Sequence, residues 1–139
     1  MKSLKQLAAL AVFAALGCTS MHAQNTGMRA TIPFDFHAGS TLLPAGQYLV
    51  QEQGAFVILR AAEDGKPAAA LITNGAIGAD SSRGARLEFH RYGNVYFLNA
   101  IWSPFSRDGR QVPPTAGEKE LAKNGGSRAQ PVVVLASKK

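Results

Sequence analysis

The segment from Arg86 to Trp102 (RLEFHRYGNVYFLNAIW) constrains the fold more than any other part of this chain. Two runs rich in aromatic and β-branched residues flank Gly93-Asn94. A two-residue loop with glycine first favours a type II′ turn, so the segment is expected to be a β-hairpin. That turn sets the register. Tyr92 faces Val95, Arg91 faces Tyr96, Phe89 faces Leu98 and Leu87 faces Ala100. Side chains alternate between the two faces of a strand. One face therefore gathers Leu87, Phe89, Tyr96, Leu98, Ala100 and Trp102, and it is the expected core. The other gathers Arg86, Glu88, His90, Tyr92, Val95, Phe97, Asn99 and Ile101. Its apolar members, Val95, Phe97 and Ile101, call for a cover, whether a short helix, the C-terminal strand or a partner. A one-residue slip would exchange the faces.

The remaining segments read in the same language. Arg29 to Phe36 (RATIPFDF) is a strand signal, and Pro33, which has no N–H, places it at a sheet edge or starts it. Leu43-Pro44-Ala45-Gly46 is turn chemistry. Gln47–Gln51 and Ala55–Ala61 form a hairpin around Gly54. Glu63 to Pro67 is a second turn, centred on Asp64-Gly65. Ala68–Thr73 follows as a strand ended by Asn74-Gly75, and residues 75–85 read as a loop. Ser103 to Pro114 also reads as loop, with Asp108-Gly109 as a turn pair. Thr115 with Glu118 three residues later is a capping box, opening a short surface helix that ends at Asn124-Gly125-Gly126. Pro131–Ala136 (PVVVLA) closes the chain as a strand, fully apolar and so expected to be paired and buried. Closely spaced strands and turns predict an all-β fold, an antiparallel β-sandwich or flattened barrel with one short helix near the C-terminus.

The first residues, MKSLKQLAALAVFAALGCTSMHAQ, have the order of a secretory signal peptide. Lys2 and Lys5 are the positive start, and Leu7–Leu16 is an uncharged apolar run. That run is shorter than the roughly 20 residues a spanning helix needs. Cleavage after Ala23 makes Gln24 the new N-terminus, and cleavage after Ser20 is the alternative. A third reading has Cys18 acylated, because Ala15-Leu16-Gly17-Cys18 fits a permissive lipobox. Residues 1–23 are thus read as signal peptide and 24–139 as a single β-rich domain, without a transmembrane helix. Export to the periplasm, the outer envelope or the medium follows. Cys18 is the only cysteine of the chain. A mature domain without cysteine has no disulfide, no thiol nucleophile and no zinc–thiolate site. The formal charge of +6 comes from arginines and lysines scattered among acids, which describes a solvated, mildly basic surface and carries no specific nucleic-acid signal.

Candidate chemistry is sparse. His37 and His90 each follow a carboxylate by two residues, in Asp35-x-His37 and Glu88-x-His90, so on strands each pair shares a face. Were the two strands neighbours, Asp35, His37, Glu88 and His90 could offer nitrogen and oxygen ligands to zinc or copper. Nothing in the spacing brings them together. Ser40, Ser81, Ser82, Ser103 and Ser106 lie outside any Gly-x-Ser-x-Gly elbow. Gly75-x-x-Gly78 lacks the Lys-Ser/Thr of a phosphate loop. Glu118 and Glu120 lie on the helix, where capping accounts for them. No catalytic residue, cofactor site or metal site is assigned.

Several segments stand in a telling order: Ile32-Pro33-Phe34-Asp35-Phe36, Leu43-Pro44-Ala45-Gly46-Gln47-Tyr48, Leu87-Glu88-Phe89-His90-Arg91-Tyr92-Gly93, Tyr96-Phe97-Leu98, Trp102, and Glu118-Lys119-Glu120-Leu121-Ala122. This order resembles a family of small exported proteins of Gram-negative soil bacteria. The resemblance covers most of the chain after residue 23. It implies export and a β-rich domain, and carries no activity and no site residues. The expected function is a non-catalytic binding or structural module outside the cytoplasm, with an envelope or extracellular partner. The alternatives are a lipocalin-like carrier of a small apolar ligand and a metal-dependent enzyme using Asp35, His37, Glu88 and His90.

Overall fold

The computed structural model describes residues 27–78, 83–104, 106–125 and 128–138. The leader, its Ala23–Gln24 cleavage point and Cys18 lie outside the described residues. The strands are β1 (Gly27–Ile32), β2 (Phe36–Ala38), β3 (Thr41–Leu43), β4 (Gly46–Gln53), β5 (Phe56–Ala61), β6 (Pro67–Ile72), β7 (Asn74–Ile77), β8 (Arg86–Tyr92), β9 (Val95–Trp102), β10 (Asp108–Gln111) and β11 (Gln130–Lys138). Among the described residues one helix, α1 (Ala116–Asn124), precedes β11.

The strands join in the order β3-β2-β9-β8-β11-β1-β4-β5-β6. β7 continues from β6 past Thr73, pairs with β10, and β10 pairs with β9. The path thus returns to β9, and the sheet is a nearly closed, flattened barrel. Thr73 marks the seam. Its N–H and its hydroxyl both donate to the Ala55 carbonyl, at 2.8 and 2.9 Å. Arg110 of β10 donates from Nε to Thr73 Oγ1 at 2.8 Å and from Nη2 to the Thr73 carbonyl at 3.0 Å. At the β6–β7 bend the Thr73 N–H is thus satisfied by a backbone carbonyl and the Thr73 carbonyl by the Arg110 side chain, as buried backbone groups require.

Inward-facing residues fill the barrel. Met28, Ala30 and Ile32 of β1 alternate with exposed Arg29 and Thr31. Val50, Val57, Leu59, Leu87, Phe89 and Ile101 are likewise buried. Phe36 anchors the middle, meeting Tyr48 and Phe89 edge-on at 5.4 and 5.5 Å between ring centres. Edge-to-face rings at this distance satisfy the aromatic quadrupole.

Four expectations need correction. β1 ends at Ile32, before Pro33, but it lies between β11 and β4 rather than at an edge. The proline ends the ladder instead of exposing it. Asn74-Gly75 does not end a strand, because β7 begins there and runs through Ile77, within the span read as loop. Asp108-Gly109 is not a turn but the start of β10. Its glycine serves another need. A Cβ at Gly109 would lie 2.3 Å from Trp102 Cε3, so only glycine lets the indole lie on this strand. Finally, β11 is paired on both sides, yet Val133 and Leu135 face solvent while Val132 and Val134 pack on the core.

The β8–β9 hairpin has the expected register near its turn, with Tyr92↔Val95, Arg91↔Tyr96 and Phe89↔Leu98. Beyond that, Glu88 pairs with Ala100 and Leu87 with Ile101, so Asn99 is the extra residue of a β-bulge. The bulge reverses the phase of the strand end. Ile101 enters the core fully buried, and Trp102 moves to the outer face, where the Arg86 guanidinium sits 5.1 Å from its ring centre. The Asn99 carbonyl accepts from the Val112 N–H at 2.8 Å, tying the bulge to the end of β10.

Candidate functional site

The outer face of the hairpin is the place where apolar residues needed a cover. Phe97 faces outward and is nonetheless 5% exposed. Three things cover it. His37 of β2 is its partner across a parallel bridge and stacks on it, with ring centres 4.7 Å apart and planes 17° apart. Tyr92 meets it edge-on at 5.9 Å. Helix α1 lies across the same face. Beside the helix a groove of about 550 Å³ opens between the β2–β3 turn, the β9 start and α1. Val95, Phe97, Ala116 and Leu121 give it an apolar floor and wall, and His37, Ser40 and Thr115 bring polar groups to it.

The helix forms for local reasons. Thr115 accepts from the Glu118 N–H through Oγ1 at 3.2 Å, and the Gly125 N–H returns to the Leu121 carbonyl. The capping box is only half used. The Glu118 side chain does not reach back to the cap. It turns to the barrel, where Oε1 lies 2.9 Å from His90 Nδ1 and accepts from the Tyr92 hydroxyl at 3.2 Å. Glu118 is the buried residue of α1, at 7% exposure, whereas Leu121 is 37% exposed. Burial raises the Tyr92 phenol above its ordinary pKa, and the Glu118 carboxylate raises it further by its charge and hydrogen bond. A smaller cleft of about 230 Å³ opens where Lys119 and Ala122 face His90 and Tyr92.

The four residues singled out as metal ligands do not converge. Asp35 accepts from the Ala45 N–H at 2.9 Å and serves the neighbouring turn. Glu88 pairs with Arg86 at 3.1 Å. His37 and His90 stand on opposite sides of β9, both in register with Phe97, two strand spacings or roughly 10 Å apart. Among the described residues, no three His, Cys, Asp or Glu side chains are grouped to hold a metal ion. Sequence reasoning found His90 but not its partner. The available signal was a helix with almost nothing apolar to bury, which must be anchored by something polar.

Another groove, of about 670 Å³, lies elsewhere, at the seam. Its charged groups are engaged in the fold: Arg110 with Thr73, the Glu52 carboxylate accepting from Ser103 Oγ at 3.1 Å, and the Asp108 carboxylate accepting from Ser106 Oγ at 3.3 Å. No helix among the described residues is long and apolar enough to cross a membrane. Compared with known proteins, the chain matches no family model, no curated protein and no solved structure.

Proposed function

We propose that this chain is an exported, non-catalytic binding module that takes an apolar group into the groove beside α1. The observation carrying the reading is the placement of Val95, Phe97, Ala116 and Leu121 around one concavity of about 550 Å³ on the outside of the barrel. That size and lining suit a small apolar body, with His37, Ser40 and Thr115 placed to orient a polar end. The barrel interior supports an outside site, since Met28, Phe36, Leu59, Leu87, Phe89 and Ile101 occupy it. The leader-like residues 1–23 and the resemblance to small exported proteins support export.

The test uses the fluorescent apolar probe 1-anilinonaphthalene-8-sulfonate. Val95→Asp and Leu121→Glu should each weaken probe binding by about tenfold, which corresponds to roughly 1.4 kcal/mol. Ile72→Asp and Leu135→Asp, at exposed apolar positions outside this groove, should leave it unchanged. Equal loss in all four variants, or none in the first two, rejects the groove as the site. Intact-mass measurement of the exported protein reads the N-terminus directly, and a chain still carrying Met1 would reject the leader.

A further inference from the structure

Helix α1 is attached to the barrel in an unusual way. A surface helix ordinarily buries an apolar stripe. Here Ala116, Gly117, Leu121 and Ala122 are all exposed, and the buried residue is a carboxylate, Glu118. Its bonds to His90 and Tyr92 are the side-chain hydrogen bonds recorded between helix and sheet among the described residues. The helix is also short, at nine residues, and carries Gly117 in its first turn. An isolated helix of that length is marginal in water, and interior glycine weakens it further. Once undocked, it has little to keep it folded. Beneath it lies the apolar strip of Val95 and Phe97, whose exposure the helix and its neighbours limit.

We infer that α1 is a displaceable cover over the Val95–Phe97 strip, latched by the single carboxylate of Glu118 between His90 and Tyr92. Its stated consequence for binding rests on the groove reading above, whereas the latch stands on the geometry alone. A ligand larger than the groove displaces the helix and gains the strip. The latch closes the strip again when the ligand leaves. Covering an apolar face by a weakly held element keeps it from associating with other chains while leaving it accessible.

Hydrogen–deuterium exchange of the full chain tests the latch. Glu118→Ala should speed exchange of the amides of residues 119–124 by about tenfold or more, while β8 amides at Leu87 and Phe89 keep their protection. Tyr92→Phe should speed the same amides by a smaller factor. Leu121→Ala should change them little. Should Glu118→Ala lose the fold, Glu118→Met provides the comparison, because it keeps the side-chain length and removes both acceptor oxygens. If Leu121→Ala frees the helix as much as Glu118→Ala, or if the Glu118 variants leave it protected, the latch is refuted. Binding of 1-anilinonaphthalene-8-sulfonate separates the two readings. A freed helix whose probe binding no longer responds to Leu121→Glu but still falls with Val95→Asp supports both. A freed helix whose probe binding does not respond to Val95→Asp keeps the latch and rejects the groove as the binding site.

Discussion

Single residues explain why two separate sequence motifs occur together. Tyr48 is buried and donates its hydroxyl to the Pro44 carbonyl at 2.5 Å, while Asp35 accepts from the Ala45 N–H. The Leu43–Gly46 turn is thus clamped by the tyrosine of its own motif and by the aspartate of Ile32–Phe36. A tyrosine that reaches back to the backbone a few residues upstream is a recurring corner device of β-proteins. Burial raises the Tyr48 phenol above its ordinary pKa, and the Asp35 charge adds to the shift. The folded chain therefore keeps a proton that the unfolded chain releases near pH 10. Its contribution is complete below that pH and disappears as the pH climbs through the folded-state value. Tyr48→Phe should cost about 1 kcal/mol at pH 7, through the lost hydrogen bond. It should also flatten the alkaline decline, so that the urea midpoints of variant and parent converge as the pH is raised above about 10. Parallel decline would show that the Tyr48 proton is not involved. Gly109 makes a sterner prediction. Gly109→Ala sets a methyl group 2.3 Å from Trp102 Cε3 and 2.9 Å from the Ile101 carbonyl. It should destabilise by about 1–3 kcal/mol, the usual cost of overpacking, and shift Trp102 fluorescence.

At the scale of elements, the hairpin was legible because its turn and its alternation agree. Gly93 has φ of 62°, in the left-handed region that the turn demands, and pairing near it follows from counting outward. The count fails at Asn99 because a bulge has no composition of its own. It is specified by what it achieves, namely burying Ile101 beside Leu87 while Trp102 reaches Gly109 and Arg86. The same blindness affected β7 and β10. Asn-Gly and Asp-Gly are strong local turn signals, and tertiary pairing overrode both. The candidate site was legible in part. The need for a cover over Val95 and Phe97 was visible, and so was the helix that supplies it. The role of Glu118 was hidden because a glutamate at the third helical position is already explained by capping. Deleting Asn99 tests the bulge. With the extra residue gone, Ala100 still faces Glu88 and Ile101 still faces Leu87, now in an unbroken ladder, so Ile101 stays in the core; the bond from the Val112 N–H to the Asn99 carbonyl is lost, and stability should fall by only about 0.5–1.5 kcal/mol. A loss of several kcal/mol, the range for emptying a core position, would mean that the bend made by the bulge, and not only the facing of Ile101, holds the strand end in place.

For the whole molecule, the decisive feature is how the sheet closes. No regular ladder joins β6 to β9, because β10 is short and β7 takes over only after the bend at Thr73. Closure runs through the short β7–β10 and β10–β9 ladders and is reinforced by a few contacts. The Gly39 turn of the β2–β3 hairpin packs on Leu71 of β6, so closely that an added Cβ would sit 2.9 Å from Leu71 Cδ2. The Asn99 carbonyl holds Val112, and Arg110 bridges to Thr73. Arg110 is the member whose loss should act at long range. Its two bonds join β10 to the bend, so removing them weakens the closure rather than one local contact. The cycle of Arg110→Ala, Thr73→Val and the double variant measures this. Each single change should cost about 1–3 kcal/mol, since Arg110→Ala leaves Thr73 with a missing partner and Thr73→Val removes a buried hydroxyl that also bonds Ala55. The double variant should fall short of the sum by about 1 kcal/mol or more, because both changes sever the same bond. Exchange protection should drop first at β7 and β10, with β1 and β4, on the far side of the barrel, retained. Strict additivity, or uniform loss of protection around all strands, would mean that the barrel is closed by its core alone and that the Thr73–Arg110 bridge only decorates the seam.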